Sequence, residues 1–318
     1  MRRRRCGKGF SFVMPSGGVL RDPAEITRLK ALAVPPAYSN VRFASDPAAH
    51  LQAVGEDAAG RLQYRYHPKW TEVREAMKAQ RLNRLAKALP AIRRALGRCL
   101  SSELIDLSFA AASVVELVSL TAIRAGSEEY AREHGTRGAT TLLKSNVRLG
   151  AGKHVALTFM AKGSKAVTKE ISSARLRAAL DRLMALPGRR LFQFQTDDGA
   201  VRPVRAGDVN AFLQTIAGQR ISLKDFRTLI ASANALYTLA GMPPAESAAK
   251  RGKQVREAVV EVAAGLANTP AVCRTSYIHE AVITAFESGA LKRVAGKKSR
   301  SAAAQAAVLA RLVAKHAA

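Results

Sequence analysis

The chain has 318 residues and carries 51 Lys and Arg against 24 Asp and Glu, a formal net charge of +27. A protein this basic repels itself unless its partner is a polyanion, so the composition favours nucleic acid, with an anionic membrane surface as the weaker alternative. No apolar stretch reaches the ~18 residues needed to cross a bilayer, so we expect no membrane-spanning segment.

The first 85 residues are predicted to form a small β-rich domain. "GFSFVMPSGGVL" is typical of a strand, a Gly-containing turn and a second strand, and "VPPAYSNVRFASDP" contains one short strand. "HLQAVGEDAAGRLQYRYH" has two alternating runs around a Gly and Asp turn, which indicates a hairpin. The basic run from Arg2 to Arg5 is predicted to be a solvated arm that contacts phosphates.

From about Thr71 the apolar residues recur at helical spacing, and Pro90 is predicted to start a new helix. "SSELIDLSFAAASVVELVSLTAIRAG" predicts a long apolar helix with Ser at its N-cap, ending before Gly126. Three strands are expected in "TTLLKSNVRL", "KHVALTFMA" and "KAVTKEI", followed by helices from about Ser173 to Ser288. A basic linker and an Ala-rich helix complete the chain.

These elements predict an α+β fold with a small β-rich N-terminal domain and a larger, mainly α-helical domain that includes a small antiparallel sheet. We place the N-terminal domain at 1–85, the mainly helical domain at 86–288 and the basic, Ala-rich tail at 289–318.

Several common kinds of site find no support in the sequence. Glu128–Glu129 and Asp197–Asp198 are typical of solvated caps or turns. The six histidines form no metal-binding pair, and the three cysteines are too far apart for a zinc site or an obvious disulfide. No Gly-rich phosphate loop precedes a helix. We therefore expect no metal and no other cofactor, and a reducing cytoplasmic location.

A set of cations followed by a tyrosine is the stronger signal. Arg124 lies in "TAIRAGSEEY", Lys162 in "FMAKGSKAV", Lys224 and Arg227 in "LKDFRTLIA", and Tyr277 in "ANTPAVCRTSY". Taken singly, these residues are typical of a helix-end cation, a turn lysine, a solvated basic face and a packing tyrosine. Their order along the chain indicates that they could face one phosphate.

At these residues the chain resembles the type IB DNA topoisomerases, in particular the short poxvirus-like group found in bacteria. The resemblance rests on "PPAYSNVRF", "HLQAVGEDAAGRLQYRYHPKW", "IRAGSEEYAREHGTRGATTL", "KDFRT" and "ANTP…SY", and covers about Gly9 to Ser288. It implies a monomeric enzyme whose two domains form a clamp around double-stranded DNA. It also implies transient cleavage of one strand and religation, without ATP or metal, in the cytoplasm at the nucleoid.

The resemblance implies the following catalytic residues. Tyr277 matches the nucleophile, Arg124 and Arg227 match the two phosphate-binding arginines, and Lys162 matches the general acid. Asn268 matches a position held by histidine or asparagine in the family. Two guanidiniums that can fork onto the non-bridging oxygens suit the charge that develops in the transition state.

Further positions match residues that support proton transfer or contact DNA. Lys224 matches a lysine that supports the proton transfer, and four positions match DNA-contacting residues, namely Gln63, Tyr64, Tyr66 and Tyr130. The sequence departs from the family pattern at Ala161, where glycine usually precedes the catalytic lysine, and a one-turn slip would make Lys165 the acid instead. Leu62 and Leu229 also replace the family's usual basic and aromatic residues.

Two other functions remain open at this point. A tyrosine recombinase or integrase shares the nucleophile and the arginines, but normally has a His-x-x-Arg box where this chain has Lys224 and Arg227. A DNA-binding clamp without catalytic activity would explain the altered surroundings of Lys162 and Leu229.

Overall fold

The computed structural model describes residues 1–7, 9–291 and 302–317. The chain forms two compact units, Met1–Met77 and Lys78–Ala318, and the boundary falls inside a long helix, before the predicted division at residue 85. The architecture is mixed, with helices, small antiparallel sheets and a β-rich N-terminal region, which confirms the predicted fold class at this level. The division into 1–85, 86–288 and 289–318 stays a prediction.

The N-terminal unit contains a five-stranded antiparallel sheet of order β2-β1-β3-β4-β5 and one helix. Its elements are β1 (Arg2–Cys6), β2 (Gly9–Val13), α1 (Pro23–Ala31), β3 (Ser39–Phe43), β4 (Leu51–Glu56) and β5 (Leu62–Tyr66). Phe12 and Phe43 meet edge to face with ring centroids 5.5 Å apart and pack with Leu29 of α1. Burial of this small apolar cluster holds the helix on the sheet.

Two predictions for this unit were wrong. Arg2 to Arg5 form β1, paired along its length with β2, rather than a free arm, although Arg2, Arg4 and Arg5 are exposed and their contact with phosphates stays a prediction. Arg3 is tied down because its guanidinium donates to the carbonyls of Val34, Pro35 and Tyr38 and lies 4.2 Å from the centre of the Phe10 ring. The second strand expected after the Gly-containing turn is reduced to a single bridge between Val13 and Val19. Helix α1 was not predicted; Asp22 caps it by accepting from the N–H of Ala24.

In the second unit the elements are mainly helical. Helix α2 (Trp70–Leu100) begins at the end of the first unit and continues into the second. The elements that follow it are α3 (Leu107–Thr121), α4 (Glu128–His134), β6 (Val147–Leu149), β7 (His154–Ala161), β8 (Lys165–Ser172), α5 (Ala174–Ala185), β9 (Gln193–Gln195), β10 (Val201–Pro203), α6 (Ala206–Ala217), α7 (Leu223–Ala240), α8 (Ala248–Gly265), α9 (Pro270–Ser276), α10 (Glu280–Glu287) and α11 (Ala302–Ala317). Because α3 is mostly apolar, its middle part lies in the core, with Phe109 to Ser113 fully buried.

The small sheets lie at the edges of this helical core. β6, β7 and β8 form a three-stranded antiparallel sheet, as predicted, with β7 and β8 paired along their full length from His154↔Ser172 to Ala161↔Lys165. The β9–β10 hairpin interrupts the region that was predicted to be helical. Because β9 and β10 have three residues each, their alternation of apolar and polar residues is too short to be recognised in the sequence.

The boundaries of two helices, α2 and α3, differ from the prediction. Pro90 lies inside the continuous helix α2 instead of starting a new one. Helix α3 is capped by Asp106, which accepts from the N–H of Phe109, rather than by Ser, and it ends at Ala122 in the left-handed conformation with φ 53°. Arg124 therefore follows the helix in a segment without regular secondary structure and is not a cation on its last turn.

The Ala-rich segment packs as helix α11 against α7 and α10. Its buried residues, Ala306, Leu309, Leu312 and Val313, join the main core. The basic linker predicted before it falls mainly on residues 292–301, outside the described residues. Among the described helices, none is long and apolar enough to cross a membrane.

Candidate active site

Helix α7 presents Arg227 to the interior of the second unit. Its first turn is fixed by Asp225, whose carboxylate accepts from the N–H and the hydroxyl of Ser222 at 2.8 and 2.9 Å. Lys224 lies on the exposed side of the same turn, whereas Arg227 is only 3% exposed. The two residues therefore do not form the solvated basic face that their spacing alone suggests.

The Arg227 guanidinium is held by two carbonyls from distant parts of the chain. Nη1 donates to the oxygen of Ala122 and Nη2 to that of Leu266 at 3.3 Å, while its carbon lies 4.9 Å from the centre of the Tyr277 ring. Nε is buried and has no partner among the described residues. Burial lowers the pKa of Arg227 from its ordinary value, and the proximity of Tyr277 opposes that shift.

Arg124 reaches the same place from the segment after α3. Its backbone is fixed by Gly138, because a Cβ there would lie 2.6 Å from the carbonyl oxygen of Arg124, and by the N–H of Ala139, which donates to that oxygen at 2.7 Å. The guanidinium Nη2 donates to Oδ1 of Asn268 at 2.5 Å, and Nη1 to the oxygen of Ala267 at 3.5 Å. Arg124 and Arg227 thus contact the same short segment between α8 and α9.

Asn268 ends that segment. Its backbone N–H donates to Ala263 at the end of α8 at 2.9 Å, and Ala267 before it is left-handed with φ 51°. Because Oδ1 accepts from Arg124, the Nδ2 amide group is the free donor of this side chain, and it is buried without a partner in the described part of the chain. A buried donor without an acceptor is costly unless a ligand supplies one.

Tyr277 follows α9, whose start is set by Pro270 and by Thr269, which accepts from the N–H of Val272. Burial alone would raise the pKa of the Tyr277 phenol, but Arg227, with smaller contributions from Arg124 and Lys224, outweighs it, and the pKa lies below the ordinary 10.0. The hydroxyl is therefore easier to ionise than an ordinary tyrosine.

The backbone around Tyr277 is fixed from two other helices. Ser232 of α7 donates its hydroxyl to the carbonyl of Tyr277 at 2.9 Å and accepts from the N–H of His279 at 3.0 Å. Lys78 of α2 donates to the carbonyls of Thr275 and Ile278, each at 3.1 Å. Sequence reasoning missed both residues, because neither motif nor spacing marks a hydrogen bond across about 200 residues of sequence separation.

Arg274, one turn before the tyrosine in the sequence, has a structural partner. Its Nη2 lies 2.6 Å from a carboxylate oxygen of Glu280. This ion pair joins α9 to the first turn of α10.

The two candidate general acids lie on the β7–β8 turn. Lys162 is exposed, with Nζ 4.7 Å from the centre of the Tyr130 ring, and Lys165 is exposed at the start of β8. Gly163 and Ser164 between them have φ 79° and 53°, typical of a tight turn. In the described part of the chain, no hydrogen bond joins either lysine to Arg227 or Tyr277.

The predicted DNA-contacting residues lie partly in each unit. Tyr64 and Tyr66 of β5 are 47% and 44% exposed, and Gln63 beside them donates to Asp57 at 2.9 Å. Tyr66 stacks on Trp70 with ring centroids 5.8 Å apart. Tyr130 lies on α4 in the second unit and is 41% exposed.

The site also contains a lysine that sequence reasoning did not single out. Lys169 of β8 lines the same pocket as Arg124 and Arg227, together with Arg137, and its Nζ donates to the carbonyl of Gly265 at 2.5 Å. The signal was present in "VTKEI", because Val167, Lys169 and Ile171 alternate and so share the buried face of the strand.

Among the described residues, no group of three or more His, Cys, Asp or Glu side chains could hold a metal ion. Among those lining the pocket around Arg227, none is acidic. The pocket therefore presents only cationic and neutral side chains among the described residues.

A fold with two arginines and an amide gathered beside a tyrosine suits attack on a phosphodiester, and comparison with known proteins agrees. The family described as eukaryotic DNA topoisomerase I, catalytic core, matches residues 67–305, and the bacterial DNA topoisomerase IB N-terminal domain matches residues 9–57. The chain belongs to the type IB DNA topoisomerase family. DNA topoisomerase 1B of Acanthamoeba polyphaga mimivirus is 29% identical over 293 residues, 90% of this chain and 87% of the relative. These matches favour the topoisomerase over the recombinase.

Proposed function

We propose that this protein relaxes supercoiled double-stranded DNA by cutting and rejoining one strand, with Tyr277 as the nucleophile and Arg124, Arg227, Asn268 and Lys162 as its catalytic partners. The observation that carries this assignment is the meeting of Arg124 and Arg227 at the segment 265–268, with the Tyr277 ring 4.9 Å from the Arg227 guanidinium.

In the first step the Tyr277 oxygen attacks the phosphorus of the scissile phosphodiester. The bond from phosphorus to the 5′-oxygen breaks, and a 3′-phosphotyrosyl ester forms. A free tyrosine is a poor nucleophile because its pKa is near 10. The cations that lower the pKa of Tyr277 favour the phenolate that makes this attack.

Arg124 and Arg227 stabilise the charge that builds up on the non-bridging oxygens. The unpartnered Nε of Arg227 and Nδ2 of Asn268 are donors that a phosphate can engage without any existing hydrogen bond being broken. Donors fixed in place before the reaction supply most of their energy to the transition state, and the loss of one typically costs ~10²–10³ in rate.

The departing 5′-oxygen is strongly basic and takes a proton from Lys162, with Lys224 supporting the transfer and Lys165 as the alternative donor. A turn between two strands gives Lys162 the reach to approach a bound duplex. In the reverse step the 5′-hydroxyl returns its proton to the lysine and attacks the phosphotyrosyl ester. The strand is rejoined and Tyr277 released, so the bond energy is kept and ATP is not needed.

Gln63, Tyr64, Tyr66 and Tyr130 contact the duplex through base edges and phosphates in this proposal. The domains at 1–85 and 86–288 close around DNA as a clamp, and the protein acts as a monomer in the cytoplasm at the nucleoid. The net charge of +27 supports phosphate-dominated binding.

Plasmid relaxation in EDTA without ATP tests the activity. We expect the wild type to relax supercoils and to leave a 3′-phosphotyrosyl adduct when the reaction is stopped with denaturant, and Tyr277→Phe to do neither. Tyr237→Phe is the matched control, because the Tyr237 hydroxyl is buried without a partner among the described residues. Normal relaxation by Tyr277→Phe would show that the nucleophile is another residue, and no relaxation by the wild type would refute the activity.

A further inference from the structure

The segment 265–268, which we call the α8–α9 turn, accepts hydrogen bonds from three cations that come from separate parts of the chain. Lys169 of β8 donates to the carbonyl of Gly265, Arg227 of α7 to that of Leu266, and Arg124 to Ala267 and to the side chain of Asn268. Three positive charges therefore meet successive acceptors of one short turn.

A scissile phosphate affects the two arginines differently from Lys169. In the proposed function Arg124 and Arg227 each serve two acceptors, the phosphate and the carbonyls of Ala267 and Leu266. The position of the turn then depends on two guanidiniums that also hold the phosphate, at the moment when Asn268 has to stay in place. Lys169 is the remaining partner, and it holds the Gly265 end of the same turn.

The position of Lys169 suits a permanent anchor. Its backbone is paired opposite Leu157 in the middle of the fully paired β7–β8 hairpin, whereas Lys162 and Lys165 lie at the turn. Val167 and Ile171 flank it on the buried face, which restricts the path of its side chain towards Gly265. Burial, with a smaller contribution from Arg227, lowers the pKa of Lys169, because the charged ammonium is less stable here than in water.

We infer that Lys169 is a positioning residue for strand cleavage, because its ammonium fixes the α8–α9 turn and so keeps Asn268 in register with Arg227 and Tyr277 when DNA enters. This inference rests on the proposed function, since it assigns the pocket to a DNA phosphate. Lys169 itself touches neither the phosphorus nor the leaving oxygen.

Single-turnover cleavage at a site mapped on a plasmid tests this role. Lys169→Met removes the donor and keeps most of the stem, and we expect cleavage to slow by about tenfold to a hundredfold, the cost of a small misplacement. Lys153→Met is the matched control, because it removes one positive charge from an exposed position near the same sheet. Both variants should bind DNA equally well at each salt concentration, because each loses one charge.

Two further measurements separate positioning from other roles. The double variant Lys169→Met/Asn268→Ala should cleave no more slowly than Asn268→Ala alone, because residues that act through one another are not additive. Lys169→Arg keeps a cationic donor and should restore most of the rate. A substrate with sulfur in place of the 5′-oxygen needs no proton donor, and Lys169→Met should remain slow on it.

The inference is overturned if folded Lys169→Met cleaves as fast as Lys153→Met, if the rate losses of Lys169→Met and Asn268→Ala multiply, or if the sulfur substrate restores Lys169→Met. If Lys169→Met does not fold, Lys169→Arg takes its place in the test. A folded Lys169→Arg that cleaves as slowly as Asn268→Ala also overturns the inference, because a cationic donor should restore most of the rate. Failure of the wild type to form any covalent adduct is a different result, since it refutes the proposed function itself.

Discussion

Replacement of Arg227 by lysine tests the need for a guanidinium most directly. The wild-type side chain is 3% exposed and forks onto the carbonyls of Ala122 and Leu266 beside Tyr277. An ammonium keeps the charge, but it has no planar fork, so it cannot reproduce both bonds and also serve two phosphate oxygens.

Two magnitudes follow from this geometry. One buried carbonyl is left without its donor, which costs ~1–3 kcal/mol of folding stability, and each kcal/mol lowers the melting temperature by about 2–4 °C for a unit of this size. The loss of one fixed donor at the phosphate costs ~2.7–4 kcal/mol of barrier, or about 10²–10³ in the cleavage rate. The effect on cleavage is therefore expected to be much larger than the effect on folding.

The assay is single-turnover formation of the covalent DNA adduct, with the melting temperature measured on the same samples. Arg182→Lys is a closely matched control. The Arg182 guanidinium also forks onto two carbonyls, those of Ser102 and Glu103 at 2.6 and 2.5 Å, and lies 4.3 Å from the centre of the Phe109 ring. Because Arg182 is only partly buried, Arg182→Lys should lose less stability, and it should cleave DNA at the normal rate.

The reasoning fails if folded Arg227→Lys cleaves within about threefold of the wild type, far less than a lost donor at the reacting group predicts. It also fails if Arg182→Lys slows cleavage as much as Arg227→Lys, because the loss would then follow from general destabilisation.

Three further predictions concern the ionisable groups. Lys162→Met should slow cleavage of ordinary DNA and regain its rate with a 5′-sulfur leaving group, and a rate that stays low on sulfur would exclude it as the acid. The pH titration of tyrosine absorbance, taken as the difference between the wild type and Tyr277→Phe, should show a phenol with a pKa below 10.0. Arg124→Ala should raise this pKa, because Arg124 helps to lower it. A wild-type midpoint at or above 10.0 would contradict the prediction. Burial raises the pKa of the Cys273 thiol, whereas Cys6 is exposed. At mildly alkaline pH an alkylating reagent should therefore modify Cys6 first and Cys273 only in denaturant. Equal rates of modification in the native protein would refute the burial of Cys273.

Local patterns allowed much of the fold to be predicted. The β4–β5 and β7–β8 hairpins were recognised because alternation and turn residues lie next to each other in the sequence. Pro90 misled the prediction because the local rule ignores packing. Leu85, Leu89 and Ile92 around it are buried, and their burial offsets the ~3 kcal/mol that a proline inside a helix costs.

The candidate site was predictable only in part. The arginines, Asn268 and Tyr277 were found through resemblance to a family, and their catalytic roles stay predictions. Lys78 and Gly138 could not be found in this way, because each acts on a backbone segment that only the folded chain brings near. Lys169 could have been found, since a lysine at an apolar position of an alternating strand indicates a buried partner.

The docking of helix α11 has a consequence for synthesis of the protein. A ribosome completes Arg124, Arg227 and Tyr277 before it reaches Ala306, Leu309, Leu312 and Val313, whose side chains cover apolar surface of α7 and α10. Until those residues emerge, the nascent chain carries every proposed reactive group while α7 and α10 still expose part of their core-facing surface. Chaperones bind and proteases cut chains in such a state. Premature termination after Tyr277 would therefore give a chain with complete chemistry and incomplete packing.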